Sequence, residues 1–130
     1  MSPGAFSPKV KMAVVDRQDG CCCSCGRMVV NTLDYTPLRP AEYHHRLPRR
    51  SGGRRGPMAA LVATAANCLL LCAGCHDRIE RRGRAVAESF GYLLKEGQDP
   101  AEVSVVVYGY GRVRLAADGG YVPVGEQVSP

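Results

Sequence analysis

Apolar positions recur at helical spacing near the start of the chain. Val10, Ala13 and Val14 share one face of Lys9–Gln18, which predicts a helix there. Residues 1–8 carry two prolines and a glycine and read as a loose N-terminus. Asp19-Gly20 ends the helix as a turn. Met28–Asn31 and Ala41–Arg46 read as the arms of a short hairpin, joined irregularly because Pro37 and Pro40 interrupt the connection. Leu47–Gly56 is a flexible basic loop, and Ala59–Ala66 is small and apolar, enough for one or two helical turns. Asn67–Leu71 is a short buried run. His76–Leu94 returns to helical period, with Ile79, Val86, Phe90 and Leu94 towards one side and Gly83 placed to break or kink it. Beyond Pro100 the pattern turns to strands, Val103–Tyr108, Arg112–Ala116 and Tyr121–Val124, separated by glycine-rich turns. The expected fold is α+β: one small domain over residues 9–130, ending from about residue 101 in an antiparallel β meander.

Composition narrows this picture. A chain of 130 residues fits a single domain whose core is only marginally self-sufficient, so a metal staple would help it. The span Met58–Gly74 is nearly free of charge, but it sits at the lower limit of the roughly 17–25 residues a spanning helix needs. It also holds Asn67, Cys68 and Cys72, so a buried loop and strand is expected and no membrane partner. The first residues lack an apolar signal core, which points to a cytoplasmic, reducing compartment. Paired cysteines there are more often metal ligands than disulfides. The net charge is +5, and only Lys9, Lys11 and Lys95 among the 17 basic residues are lysines. Arginine's planar fork matches phosphate, so the balance leans towards nucleic acid.

The candidate chemistry lies between two C-x2-C pairs, Cys22/Cys25 and Cys72/Cys75, which suit one tetrahedral zinc ion. Cys21 and Cys23 leave the register of the first pair open, since they would give x3 or x1 spacing to Cys25. Cys68 lies in an apolar run and reads as core. The three histidines of the chain, His44, His45 and His76, fall within or beside this bracket, together with Asn67. Adjacent histidines imply two roles, metal ligand and general base. Both reach one site only if the strand ends or twists there. His76 follows a zinc thiolate directly, which fixes its backbone. Asn67, a polar residue in an apolar stretch, either orients the histidine loop or coordinates the metal. His44 or His76 could instead complete a zinc site of three cysteines and one histidine.

The order Cys-x2-Cys, His-His-Arg, Pro-Arg, Gly-Gly, Asn, Leu-Cys-x2-Cys-His resembles the HNH endonucleases of the His-Me finger (ββα-metal) class. The stretches His44–Gly53 and Asn67–His76 are similar to small zinc-knuckle HNH proteins of actinobacterial phages, and the likeness runs over about residues 10–125. It implies a ββα-metal hairpin-helix core bracketed by the four-cysteine zinc site. By that resemblance His45 is the general base, Asn67 braces it, and His44 and His76 hold a catalytic divalent metal. Many members have Asp or Glu where this chain has His44. Histidine there makes the site softer, so Mn2+, Ni2+ or Zn2+ as well as Mg2+ would suit it. Arg46, Arg49, Arg50, Arg54 and Arg55 would straddle DNA phosphates, with Arg78, Arg81 and Arg82 as a second strip. The implied activity is metal-dependent DNA nicking, beside a phage terminase in genome packaging. The competing reading is a non-catalytic zinc-knuckle protein that binds nucleic acid. A thiol switch through Cys21, Cys23 and Cys68 ranks below both.

Overall fold

The computed structural model describes residues 4–50, 54–81 and 83–124. Helix α1 spans Pro8–Gln18. Ser7 caps it, accepting from the Val10 N–H at 3.1 Å, and Pro8 occupies the first turn, where no N–H is needed. Asp19 ends it in the left-handed region at φ 54°. Gly20 follows at φ 71°, where a Cβ would lie 2.1 Å from the Val30 carbonyl oxygen. Only glycine fits that approach, and it turns the chain into the first cysteine pair. Residues 4–7, expected to be loose, instead lie against the body, with Phe6 only 5% exposed.

Strand β1 (Ala41–His45) pairs antiparallel with β2 (Cys68–Cys72), with His44 opposite Leu69 and His45 opposite Cys68. Between them lie helix α2 (Gly56–Val62) and a 3-10 turn at Ala65–Asn67. The expected pairing of Met28–Asn31 with Ala41–Arg46 is therefore corrected. Met28 bridges Cys21 and Val30 bridges Pro37. The cysteine knuckle at residues 21–30 folds back on itself, Cys22 N–H donating to the Arg27 carbonyl and Val29 and Val30 N–H to that of Gly20. Those local bonds use up the backbone groups a hairpin with β1 would have needed.

β2 sorts the core. Leu69 and Leu71 pack with Cys22, Ile79, Val105 and Leu115 on one side, while Cys68 and Leu70 pack with Val14, Val15 and Val29 on the other. Alternate side chains of a strand point to opposite faces, and both faces are covered here, so the run is apolar throughout. Helix α3 (Ala73–Arg81) begins directly after β2 and packs on both strands. It starts three residues before the expected His76. Gly83, at φ 125°, separates it from α4 (Arg84–Ser89), so the helical stretch expected over His76–Leu94 is broken at the glycine placed to break or kink it, and its second helix ends at Ser89, short of Leu94. The meander is present as β3 (Val105–Val107), β4 (Gly111–Leu115) and β5 (Tyr121–Pro123), in antiparallel order β3-β4-β5. Among the described residues, no helix is long and apolar enough to cross a membrane.

Candidate metal centres and the histidine cleft

The first centre is the cysteine cluster. The Sγ atoms of Cys22, Cys25, Cys72 and Cys75 all lie within 4.8 Å of one another, so the four could hold a structural metal ion such as zinc. The register is that of the matched x2 spacing. Cys21 Sγ turns to the Asp19 carbonyl and Cys23 Sγ to that of Val106, while Cys68 is buried in the core. Cys72 ends β2 and Cys75 lies in the first turn of α3, so one strand-to-helix junction sets half of the tetrahedron. The Cys75 N–H donates to Cys72 Sγ at 3.4 Å. Burial raises the Cys72 thiol, but donors from Cys75, Cys22 and Cys25 outweigh it and bring it down to about 7. Arg78 donates to Cys75 Sγ at 3.4 Å.

The second centre lies in a cleft of about 480 Å³ lined by His44, His45, His76, Glu80, Arg49 and Arg84 among others. One ligand atom each from His44, His76 and Glu80 fall within 4.8 Å of one another. The His44 and His76 rings meet edge to face at 5.2 Å. His44 Nε2 lies 2.7 Å from the Tyr92 carbonyl, which can only accept, so Nε2 carries the proton and Nδ1 keeps its lone pair. Burial pushes the His44 pKa down to about 4, so the ring is neutral at pH 7, as a ligand must be. Glu80 was not anticipated from the sequence. Its signal is the i,i+4 spacing from His76, which puts both on one face of α3. Arg84, paired with Glu88 at 2.9 Å, is a second cleft residue that sequence reasoning passed over.

His45 lines the same cleft because β1 ends at that residue. Its Nε2–H donates to the Gly4 carbonyl at 2.8 Å, and its ring stacks on Phe6 at 3.8 Å and 13°. The Nδ1 lone pair is the one left for chemistry. Burial first, opposed by the Gly4 bond and helped by Arg49, lowers its pKa from the ordinary value. Asn67 is fully buried. Its Oδ1 accepts from the Leu47 N–H at 2.7 Å, and its Nδ2 donates to the Leu47 and Val62 carbonyls. Two of these three bonds go to the Leu47 backbone, just past the histidine pair, and the third ties the amide to the end of α2. Asn67 therefore orients that loop, and metal coordination by its side chain is set aside.

The arginines divide sharply. Arg46 is 0% exposed, and its guanidinium donates to the carbonyls of Gly91, Ala66, Pro100 and Val103. It stays protonated, with a pKa lowered to about 10 chiefly by burial. Its expected phosphate contact is corrected: a guanidinium enclosed by four carbonyls cannot reach a phosphate. Arg54 is likewise drawn in, 7% exposed and held by Glu96 and the Pro48 carbonyl. Arg50 shares Glu96 at 2.9 Å but stays exposed, and Arg81 pairs with Asp77. Arg49 lines the cleft and Arg55 is exposed. Arg82 lies outside the described residues, as do Gly52 and Gly53.

No protein-family model matches this chain, and no curated protein matches it.

Proposed function

We propose that this chain is a metal-dependent DNA endonuclease of the HNH type that nicks one strand by hydrolysing a phosphodiester bond. The observation that carries this reading is the histidine cleft. Three side chains that could ligate a metal converge there beside a third histidine, His45, whose tautomer a backbone carbonyl fixes. His44, His76 and Glu80 would hold a divalent cation. Two imidazoles and a carboxylate make a donor set of intermediate softness, which suits Mn2+, Ni2+ or Zn2+ as well as Mg2+. Such an ion supplies Lewis-acid stabilisation of the negative charge that builds on phosphate oxygens. His45 takes the proton of the attacking water on Nδ1, while Nε2–H stays on the Gly4 carbonyl. Arg49, on the wall of the cleft, holds phosphate oxygens by charge-assisted hydrogen bonds. Asn67 keeps the backbone at Leu47 in place, and with it the end of β1 that presents both histidines. Zinc in the cysteine cluster is structural in this reading. One cleft cuts one strand, so double-strand breaks would need two encounters or two copies.

Incubation with supercoiled plasmid tests it. Open circle should form with Mg2+, Mn2+ or Ni2+, fail to form in EDTA, and be lost in His45→Ala with zinc retained. DNA binding with no cleavage in any of these metals would favour a non-catalytic zinc-knuckle protein instead.

A further inference from the structure

On the other side of α3 from the histidine cleft, the cysteine cluster opens into a hollow of about 320 Å³. Arg27, Arg39 and Arg78 line it together with Cys25, Cys72 and Cys75, and among the described residues no carboxylate lines it. We propose that this hollow is a second phosphate-binding site, which takes the sugar-phosphate backbone of a nucleic acid.

Three observations lead there. The first is the state of its arginines. Most other arginines are already engaged: Arg46 by carbonyls, Arg50 and Arg54 by Glu96, Arg81 by Asp77, Arg84 by Glu88. Arg27 and Arg39 are exposed and have no side-chain hydrogen bond or ion pair among the described residues. The second is chemical. Three guanidiniums around one concavity without an acid form a multidentate match for phosphate oxygens. Zinc in four thiolates carries a formal charge of about −2, which three guanidiniums exceed. Only Arg78 reaches a sulfur, so Arg27 and Arg39 are not committed to the cluster. The third is position. The hollow and the histidine cleft are both lined by α3, through Ala73, Gly74, Cys75 and Arg78 in one case and His76, Ile79 and Glu80 in the other. A strand held in the cleft can continue over the start of α3 to the zinc knuckle. Arg27 and Arg39 come from the knuckle and from the loop before β1, so only the folded cysteine cluster brings them to Arg78.

The inference rests on the nucleic-acid part of the proposed function but not on cleavage. The test is fluorescence anisotropy with a labelled 20-base-pair duplex, in EDTA-free buffer without catalytic metal, across a salt series. The variants are Arg27→Gln/Arg39→Gln and, as a control for general loss of charge, Arg112→Gln on β4, and zinc content is measured for each. The double variant should bind more weakly, retain zinc, and show a slope of log K against log salt shallower by about 2, one for each lost phosphate contact. The control should keep the slope of the unmodified protein. Equal affinity and slope in the double variant would overturn the site, and so would loss of its zinc, which would assign the arginines to the thiolates. If the unmodified protein does not bind the duplex, the nucleic-acid reading fails with it.

Discussion

His44 and His45 are neighbours in the chain, yet a different carbonyl holds the Nε2 proton of each, that of Tyr92 in one case and of Gly4 in the other. Each ring is left with Nδ1 as its working atom, and burial keeps each neutral near pH 7. His45→Ala should lower the nicking rate on the order of 10²–10⁴-fold, the usual contribution of a general base. A base works when neutral, so the rate falls as pH drops through its pKa. Because that pKa is lowered, the acid limb of the pH–rate profile should lie below the ordinary histidine value of about 6.5. A limb at or above 6.5 in a pH series at saturating metal would remove His45 from this role. Arg46 makes the opposite point. It stands next to the histidines in a basic motif and reads as a phosphate ligand, but it is enclosed. Arg46→Ala should destabilise the fold by roughly 3 kcal/mol or more, since four carbonyls lose a charged donor at once. A urea midpoint close to that of the unmodified protein would refute this.

At the scale of elements, the N-terminal segment departs most from expectation. Its prolines and glycine give no periodic signal, yet Phe6 covers the His45 ring and the Gly4 carbonyl accepts a hydrogen bond from its Nε2–H. Phe6→Ala should release the segment and leave His45 in a mixture of tautomers, visible in the imidazole 15N shifts, with slower nicking and unchanged zinc content. Phe6→Tyr, which keeps the stacking ring, should restore the single tautomer. An unchanged 15N pattern in Phe6→Ala would show that the segment does not position the base. The pairing of β1 with β2 shows a related effect. The apolar run Leu69–Leu71 was legible as buried, but its partner strand was not. The choice depends on how the knuckle at residues 21–30 spends its own backbone groups.

For the whole molecule, the cysteine cluster joins the segment after α1 to the junction of β2 and α3. A chelator strong enough to strip zinc should lower the thermal midpoint sharply, and Cys72→Ser should do the same without chelator, because metal binding supplies folding free energy in small domains. A melting curve indifferent to both would mean that the core holds alone. Residue type, spacing and local backbone preference were enough to read the α+β class, the meander and the helix break at Gly83. They were also enough for two C-x2-C pairs suited to one metal ion, although Cys21 and Cys23 left the register of the first pair open, and the resemblance grouped His44 with His76. Which arginines remain open, the arrival of Glu80 beside His44 and His76, and the reach of Gly4 and Phe6 to His45 emerged only once the chain was folded. Burial and long-range contact depend on which surfaces meet, and no local pattern encodes that. A guanidinium looks the same in the sequence whether four carbonyls or the solvent surround it.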